Sequence, residues 1–322
     1  MGDIKRKPLI GRRSTQIFRI GIQNRGPFLR RSAEICVPLI MDKESQKDAL
    51  IYDLRGVDYT FAGKFTALRS IDLRVRAGER LAIVGANGCG KSTLLHILDG
   101  LLFPTKGEVW TYGRRLTEEE LRDASFTAFF RQRVGLLFQN PDVQLFCPTV
   151  LDEVAFGPLQ LGYPQEEALA KGREMMKMLG LEKIAKRSPQ QISGGEKKKV
   201  ALASMLVVNP DVLLLDEPTG GLDPRTQVWL VEILAGLHAI GKTIITATHD
   251  LSILEEIADR AFVMQESHTI TAAGSPKEIL DDLDLLLRVN LIHEHVHSHE
   301  NLLHSHSHLH FFTHRHGHER KE

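Results

Sequence analysis

The chain has 322 residues, of which 42% are hydrophobic, and its 41 Lys and Arg balance 41 Asp and Glu. That composition suits one large or two moderate globular domains. It excludes a membrane-spanning helix, because no run approaches the roughly 18 to 20 apolar residues required, and a disulfide framework, because Cys36, Cys89 and Cys147 show neither CxxC pairing nor framework spacing.

The neutral total hides a basic start. Residues 1–40 carry nine Lys and Arg against Asp3 and Glu34, a net charge of +7. Residues 1–48 mix Arg, Gly and Pro without a period and read as a poorly ordered extension. They lack the apolar core of a secretory leader. Two readings stand side by side: a basic arm for lipid head groups or nucleic acid, or translation starting at Met41, which opens a helix-compatible lead into the first strand.

Order begins near Ala49. Val57, Tyr59 and Phe61, and then Ile71, Leu73 and Val75, alternate with polar residues, which predicts two half-buried strands of an antiparallel layer joined by a turn at Ala62-Gly63-Lys64. Phe61, at the end of its strand, is the candidate to stack on a base; Tyr59 reads equally well as core. Leu81–Val84 is an apolar run of buried-strand type, followed by Gly85-Ala86-Asn87-Gly88-Cys89-Gly90-Lys91-Ser92-Thr93. That spacing fits a phosphate loop, in which main-chain N–H groups wrap the phosphates of a nucleotide, Lys91 reaches the outer phosphates and Ser92 ligates Mg²⁺. Ser92–Leu98 reads as a helix whose positive end faces the phosphates, stopped by Gly100. Cys89, beside that helix N-terminus, is expected to have a depressed pKa and to react with alkylating agents unless ATP protects it.

Gly107–Tyr112 and Val134–Phe138 are further strands, the second ending in Gln139-Asn140-Pro141-Asp142. Thr149–Leu181 turns helical, with Met175, Met176 and Leu179 on a core-packing face. Ile192-Ser193-Gly194-Gly195-Glu196 then precedes a helix over Val200–Val208. Val212–Leu215 is a buried strand delivering Asp216-Glu217 to its carboxyl end, where ligands of open α/β sheets gather. Gly221-Leu222-Asp223-Pro224 is a turn, and the strand Thr243–Thr248 ends at His249. Strands alternating with helices imply an α/β fold with a mainly parallel sheet.

Five segments in this order (the phosphate loop, Gln139, Ser193 to Glu196, Asp216-Glu217 and His249) resemble the nucleotide-binding domain of ATP-binding cassette (ABC) proteins. Gln144-Leu145-Phe146 and Thr149 to Pro158 narrow the resemblance to the ATPase components of energy-coupling-factor importers, which move cobalt, nickel and vitamins into prokaryotic cells. The resemblance implies a P-loop NTPase fold with a mainly parallel sheet, an antiparallel β layer and a helical subdomain inserted at about residues 142–200, all within a domain of residues 49–290. It implies ATP and Mg²⁺ as cofactors. Gly85, Asn87, Gly88, Gly90, Lys91, Ser92 and Thr93 would hold the phosphates, Ser92 and Asp216 the metal and its water shell, and Gln139, also catalytic, would reach both the metal and the attacking water. Glu217 would be the base toward the attacking water, with His249 keeping water and base in register. Ser193, Gly194, Gly195, Glu196 and Asp223 would address the nucleotide of a second ABC ATPase subunit, in a homodimer or heterodimer. Glu196 stands where the family more often has Gln.

By the same resemblance, the ATPase sits peripherally on the cytoplasmic face of a prokaryotic cell membrane. Integral membrane subunits would dock in a groove for which Phe146, Val150, Val154 and Phe156 are candidates. A soluble cassette ATPase acting on nucleic acid or ribosomes is the alternative from another class. The basic start favours it, but the chain has one loop, one signature and no sustained heptads, so nucleic acid is not the expected partner. Residues 291–322 form a His-rich tail, expected to be flexible, with eleven of the fifteen histidines. His293, His295, His297 and His299, then His304, His306, His308 and His310, recur at every second position. Such density suits Ni²⁺ or Co²⁺ and favours a metal over a vitamin as cargo.

Overall fold

A computed structural model describes residues 49–299 and 302–308. The basic stretch 1–48 and His310 lie outside the described residues.

The chain opens with a long hairpin, β1 (Leu50–Phe61) and β2 (Phe65–Arg76), as the two alternating stretches predict. β3 (Arg80–Val84) then leads through the glycine loop into α1 (Lys91–Leu98). β4 (Lys106–Thr111) and β5 (Arg114–Arg115) return to the first layer, and α2 (Ala124–Arg133) runs into β6 (Val134–Leu137). Three helices follow: α3 (Val150–Gln160), α4 (Gln165–Leu179) and α5 (Gly194–Leu206). β7 (Val212–Asp216), α6 (Pro224–Ala239) and β8 (Thr243–Thr248) restore the alternation. The domain closes with α7 (Leu254–Ile257), β9 (Arg260–Met264), β10 (Ile270–Gly274), α8 (Pro276–Asp281) and α9 (Leu283–Arg288). β11 (His293–His299) and β12 (Leu302–His308) form an antiparallel hairpin within the tail expected to be flexible.

β2-β1-β4-β5 make a four-stranded antiparallel sheet. β10-β9-β3-β8-β7-β6 make a six-stranded sheet, parallel except for its edge strand β10. The unbroken apolar runs follow from burial of both faces of this sheet. Leu81, Ile83, Val212 and Leu214 point into a core shared with the antiparallel layer and α1. Their neighbours Ala82, Val84, Leu213 and Leu215 point into the core under α5 and α6. Three of the longer helices start on a side-chain cap that satisfies an end N–H: Thr149 for α3, Ser193 for α5, Asp223 for α6. α5 starts earlier than the apolar run suggested, at Gly194, because Ser193 and Glu196 close a reciprocal capping box there.

Candidate functional site

The carboxyl ends of β3, β7 and β8, three neighbouring parallel strands, bring the site together. β3 feeds the loop at Gly85, where a Cβ would lie 2.6 Å from both Cys89 Sγ and the Met264 carbonyl oxygen, so only glycine lets the loop turn this tightly. Gly90 caps α1 at φ +112°, a backbone L side chains rarely adopt.

Lys91 is 5% exposed. Its Nζ donates to the carbonyl oxygens of Gly85 at 2.8 Å and Ala86 at 3.2 Å, and lies 3.4 Å from Glu217 Oε1. Glu217 is 4% exposed and adopts φ +44°, a left-handed conformation rare for a residue with a side chain. His249 Nδ1 sits 2.8 Å from Glu217 Oε1, while the Thr248 hydroxyl donates to Oε2 at 3.2 Å. The His249 side chain is half exposed at 51%, placed between the buried carboxylate and solvent. Asp216 turns instead toward Ser92. Burial raises its pKa, against a hydrogen bond from Ser92 that lowers it. Its Oδ1 is buried and has no hydrogen-bond partner among the described residues.

These groups line or underlie an open cleft of about 500 Å³. Asn87, Gly88, Gly90, Lys91, Ser92 and Thr93 of the loop line it together with Gln139, Glu217 and Phe61. The predicted residues from the loop, β6, β7 and the first hairpin therefore meet. Ser193, Gly194, Gly195 and Glu196 do not line this cleft. Ser193 Oγ instead shares Glu196 Oε2 at 2.9 Å, which with the Ser193 N–H keeps that carboxyl below its usual pKa. Asp223 is also elsewhere, its carboxylate taken by the Thr226 N–H and hydroxyl.

Two expectations are corrected. Cys89 is 1% exposed, and burial pushes its thiol pKa up, outweighing the lowering by Lys91; it is not an activated thiol. Of the four groove candidates, Val150 and Val154 are fully buried core residues. Phe146 is 64% exposed and meets Phe156 edge-on at 5.0 Å, so that pair alone stays available for a partner.

The sequence reading missed Phe65, Thr66, Ala67 and His268, which complete the cleft. Phe65 was accessible in principle, since it pairs in register with Phe61 across the hairpin. His268 was not: the β9–β10 turn carries it from far along the chain to 3.2 Å from the Cys89 carbonyl.

Fold and site together define a phosphate-loop ATPase: a nucleotide cradle on a helix N-terminus, with a buried carboxylate and a histidine beside it. The family model described as "ABC transporter" matches residues 68–220. The nickel import ATP-binding protein NikO of Rhodobacter capsulatus is 46% identical over 244 residues, covering 75% of this chain and 95% of that protein. The energy-coupling factor transporter ATP-binding protein EcfA of Methanothermobacter thermautotrophicus is 42% identical over 241 residues, 74% of this chain and 75% of that protein. The solved structure of cbiO1 from Clostridium perfringens, described as part of the ABC transporter complex cbiONQ, superposes with a TM-score of 0.63 at 34% identity, covering 75% of this chain and 95% of that one. The chain belongs to the ABC transporter ATPases, in the group of energy-coupling-factor and cobalt or nickel importer ATP-binding subunits. It hydrolyses ATP as the ATP-binding subunit of an importer.

Proposed function

We propose that this chain powers an energy-coupling-factor importer of a transition metal ion, cobalt or nickel, from the cytoplasmic face of a prokaryotic membrane. The ATPase part rests on one observation, the convergence of Lys91, Gln139 and Glu217 on a single cleft, with His249 bonded to Glu217. The phosphate-loop amides and Lys91 bind the phosphates, and Phe61 stacks on the base. Glu217, held by His249, orients the attacking water and takes its proton. The orphaned, buried Asp216 Oδ1 near Ser92 suits a hydrated Mg²⁺. Ser92, Gln139 and Asp216 would hold that ion, which when bound would neutralise charge on the transferring phosphate.

The signature residues, at the open N-terminus of α5 and away from their own cleft, fit a second ATPase subunit facing this one head to tail. Ser193, Gly194 and Gly195 would then bring another helix dipole to the partner's nucleotide, with Asp223 nearby. Phe146 and Phe156 offer an apolar pair to the integral membrane subunits. Among the described residues no helix is long and apolar enough to cross a membrane.

The metal cargo is supported by the similarity to a nickel import protein and by the tail. The register of β11 and β12 sets His293 opposite His308, His295 opposite His306, and His297 opposite His304, and cross-strand partners stand about 5 Å apart. Uptake assays in cells with and without the protein test the cargo: loss of labelled Co²⁺ or Ni²⁺ uptake is expected. A defect confined to a vitamin would move the assignment to the vitamin branch.

Calorimetry tests the tail. The full chain should take up Ni²⁺ or Co²⁺ at about pH 7.5, and a variant with these six histidines changed to alanine should not. Protonated imidazole cannot ligate a metal, so uptake should disappear as pH falls below about 6. Equal uptake by both chains would remove the metal role of these six histidines.

A further inference from the structure

Three lysines follow the signature segment on α5, and they have different fates. Lys197 pairs with Asp142 at 2.6 Å, and Lys199 lies over the Trp229 ring at 4.6 Å. Lys198 turns inward and is 4% exposed. Its Nζ donates to two main-chain carbonyl oxygens, those of Gln139 and Glu217, each at 3.0 Å. Burying an ammonium is costly unless its donors are used, and burial does lower the Lys198 pKa, against Asp216 and Glu217, which raise it.

The two carbonyls belong to residues that line the cleft, Gln139 and Glu217. At Glu217 the bond has a further consequence. A left-handed conformation at a residue with a Cβ persists only when its surroundings hold it. Here the Glu217 N–H donates to the Ala247 carbonyl at 2.9 Å, and its carbonyl oxygen accepts from Gly220 N–H at 3.1 Å and from Lys198. Of these three ties, two are main-chain bonds, one to β8 and one within the turn after β7. The third is a cation on the helix that begins with Ser193-Gly194-Gly195.

We infer that Lys198 is a positioning residue for hydrolysis, linking the signature helix α5 within the same chain to the main chain of both Gln139 and Glu217. A shift of α5, as when its N-terminus engages the partner's nucleotide, is thereby transmitted to the two groups that address the attacking water. The proposal rests on the reading of Glu217 as the base.

Steady-state hydrolysis, nucleotide binding and thermal unfolding should be compared for the full chain, Lys198→Met, Lys198→Gln and Glu217→Gln. Lys198→Met should lower kcat by about 10- to 100-fold, the worth of charge-assisted bonds to buried acceptors, with KM for ATP changed less than about 2-fold. Lys198→Gln keeps N–H donors and should recover part of kcat. A folded Lys198→Met chain with wild-type kcat overturns the proposal, as does KM rising in step with the loss of kcat, or a Gln variant no better than Met. If the Met variant does not fold, the Gln variant decides: lower kcat at unchanged KM supports the tie, and wild-type kcat refutes it. Full activity of Glu217→Gln would instead overturn the reading of the base. An inactive Glu217→Gln beside a fully active Lys198→Met would overturn the role of Lys198 alone.

Discussion

Replacing Glu217 by glutamine should lower ATP hydrolysis by about 10²- to 10⁴-fold, the range for loss of a general base, while ATP still binds. The amide has the shape of the carboxyl and can still meet the Thr248 hydroxyl and His249, which now lie 3.2 and 2.8 Å from its oxygens. What it lacks is a lone pair basic enough to take a proton from water. It also no longer neutralises Lys91, so affinity for the polyanion should not fall. Phosphate release and the binding of a fluorescent nucleotide separate the two effects. Hydrolysis at the wild-type rate would take the base role away from Glu217.

Lys91→Met is expected to act in the opposite order, abolishing binding before chemistry can be asked about. Loss of the ammonium removes the cation at the outer phosphates, which should weaken ATP binding at least about 100-fold. A second effect appears without nucleotide. The Lys91 and Glu217 side chains are 6% and 5% exposed, and removing one member of so buried a pair costs about 3 kcal/mol. Adding Glu217→Gln should therefore return most of the lost stability and none of the binding. Urea midpoints of the four chains in this cycle measure it. Equal losses in Lys91→Met with and without Glu217→Gln would show that the two side chains are not coupled.

The parts of the site legible in the sequence are those encoded locally. The phosphate loop is a contiguous spacing between a strand and a helix, and Asp216-Glu217 and His249 follow apolar runs that can hardly be anything but buried strands. Phe61 was legible because a hairpin end beside a phosphate loop is a fixed place in space. Other features depend on what packs against a residue from a distance. Nothing local says that Lys198 points inward while Lys197 and Lys199 do not. Cys89 illustrates a conflict of two rules: a helix N-terminus depresses a thiol pKa, burial raises it, and only the packing decides. Val150 and Phe146 are both apolar and close in sequence, yet the first is buried in the core and the second faces outward. α2 escaped notice because its apolar residues form no clean stripe. Phe126 and Phe130 bury themselves in the core beside the antiparallel sheet, and Arg131 anchors the helix to Asp99 at 3.0 Å.

The contact between Lys91 and Glu217 also changes what ATP binding means thermodynamically. In the chain as it stands the buried ammonium is already satisfied, by two loop carbonyls and a carboxylate. The arriving phosphates do not find an idle cation. If Lys91 is the cation for the outer phosphates, they compete there with an anion the protein itself supplies. Affinity would then be a difference between two anions competing for one lysine.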